Sequence, residues 1–322
     1  MAVCCSWLPS ATATDARVYA RSVGVVEIGG RRLVLSNLDK VLWPESGMTK
    51  GEMLDYYARI APTLLPHLRG RPVTLRRFPD GVDGVSWHQN ECRGEPEWLT
   101  VHETGGRGGR RLRFCVVDDL ASLMWVANQA AIEIHPFLWS VAASRRPLEA
   151  VFDLDPGSPA GLVDCARVAL RLRGLLADVG LDSFPKTSGS LGLHVHVPLG
   201  TPHDAAATKA FARVVARVLA TEWPDEVVAE MRKSDRTGKV YVDWLQNDAT
   251  RQTVAPYSLR GLPVPTVATP VTWEEVEQAV VADNHGALTF LPDDVLGRVE
   301  RLGDLFAPVR GLRQQLPKPA NV

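Results

Sequence analysis

Long apolar runs are missing from this sequence: none approaches the ~20 residues that a membrane-spanning helix needs, which argues against a membrane protein. The opening MAVCCSWLPSATATDARVYARSVG has no Lys or Arg before its short apolar stretch, so the charged start of a secretory signal is missing too. Residues 1–22 read as a flexible tail, with a second short tail over 318–322. The five cysteines, Cys4, Cys5, Cys92, Cys115 and Cys165, include no CxxC spacing to hold zinc. Their odd number and scatter argue against a disulfide framework and for a reducing, cytoplasmic setting. An excess of basic charge is absent as well. With 36 Lys and Arg against 37 Asp and Glu the net charge is −1, so any binding to nucleic acid has to rest on local patches. Two such patches exist, GGRGGRRLRF from Gly105 to Phe114 and RGRPVTLRRFPDG from Arg69 to Gly81. Solvated arginines on a turn would explain either one equally well.

No repeat or low-complexity block interrupts the 322 residues, and the only proline-rich passage, Pro263 to Pro270, reads as a loop. VGVVEIG and RRLVLS meet at Gly29 and Gly30 as a hairpin. TKGEMLDYYARIAPTLLPHL has helical spacing, with Thr49 as N-cap and Glu52 three positions on. Another helix starts at Asp118 or Asp119 and runs into an apolar segment before His135 and Pro136. After the strand VFDLD, the spacing predicts a helix capped by Ser158, with Pro159 in its first turn and Gly180 at its end. A turn and strand over FPKTSGSLGLHVHVPLG, a helix from Ala205 to Leu219, strands KVYVDWLQN and TVAPYS, and a late helix TWEEVEQAV complete the order.

Side chains alternate along a strand, so Asp153 and Asp155 share one face while Phe152 and Leu154 face a core. Two carboxylates held together repel unless a cation lies between them, and a hard divalent ion with oxygen ligands is the usual answer. Acidic residues at a strand end before Pro-Gly are the plainer reading of this pair alone. In KVYVDWLQN, Asp243 projects from the polar side of a second buried strand and supplies a third carboxylate. Three aspartates on neighbouring strands suit two-metal phosphoryl or nucleotidyl transfer. In TSGSLGLHVHVPL, Ser188, Gly189 and Ser190 form a small-residue turn whose N–H groups could cradle phosphate, beside His194 and His196 on one strand face. Ordinary hydrogen-bonded histidines are the alternative. Arg232, Lys233, Arg236 and Lys239 precede the Asp243 strand and Arg260 follows TVAPYS, in positions to meet a triphosphate or a nucleic-acid backbone.

Taken together, FDLDPG, SGSLGLHV and VDWLQN, with VLSNLDKVLWP near the start and TVAPYSLRG near the end, resemble the polymerase domain of bacterial DNA ligase D and its stand-alone relatives in the archaeo-eukaryotic primase superfamily. The resemblance covers about residues 23 to 317. It implies that Asp153, Asp155 and Asp243 bind two catalytic metal ions, Mn²⁺ or Mg²⁺, and that His135, Ser188, Gly189, Ser190, His194, Arg236 and Arg260 grip the incoming nucleotide. It further implies a pocket for a DNA 5′-phosphate at Asn37, Lys40 and Lys50, matched within NLDKVLWPxxxxTK. Trp87 and His88 fall where the family carries adjacent aromatics, and with Arg76 and Arg77 they are expected to stack on or hold DNA. One departure is Leu191, which stands where the SGxKG pattern often supplies a lysine to the triphosphate.

The expected fold is α/β (α+β): a single domain over 23–317 with a central mixed or antiparallel sheet carrying the active site and helices flanking it. The expected activity is template-dependent extension of a primer 3′-OH from NTP or dNTP substrates, favouring ribonucleotides and Mn²⁺, in gap filling or double-strand-break end joining. Gapped or broken-end DNA is the expected partner, together with a separate ligase and an end-binding protein, since nothing resembling a ligase domain is attached. The expected setting is the bacterial nucleoid, with no membrane. A metal-dependent nuclease or nucleotide phosphohydrolase and a catalytically silent DNA-end-binding module are the alternatives.

Overall fold

A computed structural model of the chain describes residues 23–105, 111–200, 204–230 and 232–317. Gly29 and Gly30, both at positive φ, make the two-residue turn that joins β1 (Val23–Ile28) to β2 (Arg31–Ser36). β3 (Val41–Trp43) and β4 (Met48–Thr49) form a second small ladder leading into α1 (Lys50–Leu68). The predicted capping box is present: Thr49 Oγ1 accepts from Glu52 N at 3.2 Å, and Glu52 Oε2 accepts from Thr49 N at 2.7 Å.

Five strands then build one sheet: β5 (Pro72–Arg77), β6 (Trp87–Gln89), β7 (Val101–Gly105), β8 (Arg111–Val116) and, after α2 (Leu120–Asn128), β9 (Ala131–Pro136). β5 is its centre, paired with β9 along one edge and with β6 and β8 along the other. This second large sheet is additional to the single central one expected. The expected one follows in β10 (Glu149–Pro156), β11 (Phe184–Thr187), β12 (Leu193–Pro198), β13 (Val227–Val228) and β14 (Val240–Asp243). Its order is β11-β12-β10-β14-β13, antiparallel throughout except for the β13–β14 pair.

Phe152, Leu154, Leu193, Val195, Val240 and Val242 share the apolar face of that sheet and are inaccessible to solvent. α3 (Leu162–Asp178) and α4 (Ala205–Glu222) pack on this sheet. Leu162, Cys165, Ala166, Ala169, Leu172 and Leu176 recur at helical spacing and form the buried stripe of α3. Three short helices finish the chain: α5 (Trp273–Val281), α6 (Pro292–Leu302) and α7 (Ala307–Gly311).

Several sequence expectations need correction. α3 starts at Leu162 with Gly161 as N-cap, not at Ser158, because Ser158, Pro159 and Ala160 belong to a turn with a cis Ser158–Pro159 bond, and Asp164 Oδ2 accepts from Gly161 N at 2.8 Å instead. KVYVDWLQN is a strand only to Asp243, after which Trp244–Asn247 coils into a 3-10 turn. TVAPYS is not a strand: Pro256 offers no N–H, Tyr257 sits at φ 67, and the segment divides its hydrogen bonds between β9 and residues 266–268. Cys92 and Cys115 are joined in a disulfide across 23 residues of sequence, against the expectation of unpaired thiols. The Cys92 N–H to Arg113 O bond, 2.7 Å, seats the Cys92 loop beside β8, a proximity no local cysteine spacing could announce. Cys4 and Cys5, the tails, Arg107 and Arg110 lie outside the described residues.

The aspartates depend on this packing to stay in register. Phe152→Ala should lower the unfolding free energy by about 3–5 kcal/mol, the usual cost of emptying a large core site, with urea denaturation as the measure.

Candidate active site

The sheet register answers whether the three aspartates meet. Asp153 in β10 lies directly opposite Asp243 in β14 on one side and His194 in β12 on the other, and His194 in turn lies opposite Lys186 in β11. One row thus crosses four strands, Lys186–His194–Asp153–Asp243, with every side chain on the face away from α3 and α4. Asp155 follows two residues on, on the same face, opposite Tyr241.

Asp153 and Asp243 are each held in place by hydrogen-bonding partners from the protein. Asp153 Oδ1 is 3.2 Å from His194 Nε2, and its Oδ2 accepts from Gln246 Nε2 at 3.2 Å. Asp243 Oδ1 accepts from Leu245 N at 2.9 Å and from the Tyr241 hydroxyl at 3.2 Å. Burial raises the carboxyl pKa of Asp153 against the pull of Lys186, and burial followed by the Asp153 charge raises that of Asp243. Desolvation by surrounding protein, then the charges of Asp153 and Asp243, push Asp155 up to about 7.

Among the described residues, no three His, Cys, Asp or Glu side chains already encircle a point where a metal ion would sit. The donor set nevertheless fits a hard divalent ion: it is all carboxylate oxygen, and two members are opposed across one ladder with the third on the same face.

Glycines bring the loops against this row. A Cβ on Gly157 would lie 1.9 Å from Arg236 O, so the glycine of FDLDPG lets the Arg236 segment close over the end of β10. Arg236 then lies over the Tyr241 ring at 3.7 Å, where Asp155 feels its charge. Gly189, at φ 70, would clash through a Cβ with Arg260 Cγ at 2.7 Å, and Arg260 Nη1 donates to Ser188 O at 2.5 Å. The Ser188 turn differs from expectation in one respect: Ser190 N donates to Ser188 Oγ at 3.2 Å and Ser188 N to Gly192 O at 3.0 Å, so two of the N–H groups expected to face an anion already have a partner. Ser190 and Leu191 are exposed at its tip.

His135 and Arg260 belong to this centre through Glu133, a residue the sequence reading passed over. Glu133 is 1% exposed and receives His135 Nε2 at 2.9 Å, Gly261 N at 3.0 Å and Arg76 Nη1 at 3.2 Å, with Arg260 Nε at 3.5 Å. Burial alone would raise its pKa, but the His135 hydrogen bond and the Arg260 charge hold it down at about 2. The signal was present in AAIEIHPF, where Glu133 and His135 share a face of an otherwise apolar strand. Lys186 was also passed over. It is fully buried, its Nζ lies 3.2 Å from His194 Nδ1, and burial followed by the Arg260 charge lowers its pKa to about 7.

The second expected cluster also assembles. Lys40 N donates to Asn37 O at 3.1 Å and Lys50 N to Lys40 O at 2.8 Å, pinning the Asn37–Lys40 turn to the first turn of α1. The Lys50 ammonium is nearly buried, donating to Ser36 O at 2.6 Å and Asn128 Oδ1 at 2.9 Å, while Lys40 pairs with Asp80 at 2.9 Å. Desolvation, then the charges of Lys40 and Arg77, lower the Lys50 pKa to about 8.

The four residues expected to act together on DNA do not share a face. Strand alternation sends Arg76 and His88 toward Glu133 and His135, with the His88 and His135 rings 6.0 Å apart, and Arg77 and Trp87 to the side of Lys50. Trp87 is 42% exposed beneath the Arg77 guanidinium, which lies 5.4 Å from its ring, and His88 is exposed on the other side of the strand.

The model of the LigD primase-polymerase domain matches residues 49–306. The multifunctional non-homologous end joining DNA repair protein LigD of Mycobacterium tuberculosis is 41% identical over 285 residues, 86% of this chain and 37% of that protein. The bifunctional non-homologous end joining protein LigD of Bacillus subtilis is 31% identical over 278 residues, 85% of this chain and 44% of that protein. The chain therefore spans less than half the length of these relatives. A solved structure of the polymerase domain from Mycobacterium tuberculosis ligase D in complex with DNA superposes with a TM-score of 0.81 at 40% identity, covering 87% of this chain and 98% of that one. Fold and site thus define an enzyme of the primase-polymerase class, a nucleotidyltransferase of DNA or RNA. Within that class, the chain belongs to the LigD primase-polymerase domain family.

Glu133 should make stability acid-sensitive. Its folded pKa lies below the ordinary 4.5, so its contribution is complete above that value and fades as pH falls toward about 2. Glu133→Gln should cost about 3 kcal/mol near neutrality, and urea denaturation across a pH series should show that difference shrinking over the same interval.

Proposed function

We propose that this domain extends a primer 3′-OH opposite a template by nucleotidyl transfer at the Asp153–Asp155–Asp243 cluster, acting on gapped or broken-end DNA. The observation that carries this reading is the direct opposition of Asp153 and Asp243 on paired strands, with Asp155 on the same face. Two divalent ions, Mn²⁺ or Mg²⁺, held by these three carboxylates would supply activation of the attacking hydroxyl and charge stabilisation at the triphosphate. The carboxylates act by placement: His194 and Gln246 orient Asp153, and Leu245 N and Tyr241 orient Asp243. Arg236 and Arg260 present guanidinium groups at the rim of the row, suited to triphosphate oxygens. Ser188, Gly189 and Ser190 shape the loop that sets Arg260, and His135 lies beside it, anchored on Glu133. Leu191 adds no charge at the tip of that loop.

The Asn37–Lys40–Lys50 cluster suits a DNA 5′-phosphate. Lys50 is crowded by the charges of Lys40 and Arg77 and stands at the start of α1, where the helix dipole also favours an anion. An exposed Trp87 beside it offers a surface on which a base can stack. The names of the relatives support a role in non-homologous end joining, with ligase and end-binding functions supplied by other domains or proteins. Ribonucleotides with Mn²⁺ are the preferred substrates in this reading.

Extension of a gapped duplex, with and without the 5′-phosphate and with rNTPs against dNTPs, tests this directly. Longer products with Mn²⁺ are expected, and shorter ones would select a nuclease instead. Asp153→Ala and Asp243→Ala should each reduce extension by more than about 100-fold, while a gel-shift assay shows DNA still bound. Lys40→Ala should reduce the advantage conferred by the 5′-phosphate by about tenfold, the value of one charge-assisted contact. An unchanged phosphate effect would show that the phosphate docks elsewhere.

A further inference from the structure

The polar face of the active-site sheet continues past Asp153 toward the start of β10, to the Val151–His196 pair and then to Glu149. There it walls a cavity of about 280 Å³, bounded also by the last turn of α1, the end of β9, residues 253–256 and α7. Neither the carboxylates of the active site nor the Lys40–Lys50 cluster lines it.

Its lining is strongly cationic. Arg69, Arg71, Arg310 and Arg313 face it, and Glu149 is the only carboxylate among the lining residues. That carboxylate is already engaged, by Arg71 Nη2 at 2.8 Å and by His196 Nδ1 at 2.8 Å. Arg310 approaches Asp304 only at 3.6 Å, and neither Arg69 nor Arg313 has an ion pair among the described residues. Two polar atoms in the wall lack partners in this structure, His196 Nε2 and Thr253 Oγ1, on side chains of residues 4% and 6% exposed. Leaving a buried polar atom without a partner is costly, so two in one cavity point to an occupant that satisfies them.

We propose that this cavity is a binding site for a small phosphoryl anion of the size of phosphate or pyrophosphate, separate from the polymerase centre. The guanidinium groups match its charge and its paired oxygens. The Thr253 hydroxyl donates to one oxygen. His196, whose Nδ1–H is directed to Glu149, keeps Nε2 as an acceptor, and a protonated phosphoryl oxygen satisfies it. The site takes either a free anion or the terminal phosphate of a nucleotide, since the chemistry presented is the same.

Isothermal titration of the full chain in EDTA, where divalent ions contribute nothing at the aspartates, tests the site with pyrophosphate, inorganic phosphate and a 5′-phosphorylated dinucleotide. Saturable binding of at least one is expected, weakened at least about tenfold in Arg69→Ala/Arg313→Ala and in Thr253→Val. Arg69 and Arg313 are exposed, so their double variant should keep the parent thermal midpoint and primer-extension activity. A response confined to the dinucleotide assigns a nucleotide phosphate, and a response to the inorganic ions assigns a free anion. Absence of saturable binding for all three, or affinity unchanged in the double variant, overturns the proposal. Because the readout is binding without metal, failure here is distinct from failure of the polymerase reading.

Discussion

Asp153 and Asp243 face each other across adjacent antiparallel strands, and the surrounding structure is arranged around that repulsion. Like charges directly opposed in a ladder destabilise it. The donors that reach them, an imidazole, an amide, a phenol and one backbone N–H, fix where the carboxylates point without cancelling their charge. What holds the pair in place is the other face of the same strands. Phe152, Leu154 and Val242 are buried under α3 and α4, and a slip of one residue would exchange them with the aspartates. Core packing therefore sets the register, and the register sets the site.

The second sheet contributes through a single buried carboxylate. Glu133 in β9 collects Arg76 from its own sheet and Arg260 from the irregular 252–270 segment, with His135 two residues further along its own strand. That segment is tied to β9 by Ala255 N to Ile134 O at 2.9 Å, and to the last residue of β11 by Thr187 N to Thr269 O at 2.8 Å. Its backbone thus spans from one sheet to the other with Arg260 between the two attachments. Arg260 is aimed at the Ser188 loop because both ends are fixed, and Gly189 provides the room it needs.

Strand periodicity made part of this legible from sequence. The alternation in VFDLD and KVYVD placed three aspartates on polar faces correctly, and the capping pattern at Thr49 and Glu52 fixed the start of α1. Pairing between distant strands is not written in local spacing, so the Lys186–His194–Asp153–Asp243 row emerged only from the register. Lys186 was invisible for a physical reason: a lysine beside Thr and Ser reads as a solvated charge, and only burial reveals it as part of the site. Trp87 and His88 show the converse. Adjacent in sequence, they suggest one surface, yet a strand sends neighbours to opposite sides. The disulfide between Cys92 and Cys115 likewise depends on a loop meeting β8, which cysteine counting could not reveal.

A net charge of −1 looks unpromising for the phosphate-directed role proposed above, and the placement of ion pairs bears on that difficulty. Many of the cations nearest the functional surfaces have a carboxylate partner in this structure: Lys40 with Asp80, Arg76 and Arg260 with Glu133, and Arg71 with Glu149. These partners cancel charge in the total while leaving guanidinium and ammonium groups oriented and partly desolvated. A phosphate arriving at such a group adds to or displaces an existing partner and does not have to order a free side chain, so less rotamer entropy is lost on binding. The whole-chain charge governs long-range attraction, whereas in the proposed reading affinity at each phosphate would be set by these few pre-oriented cations.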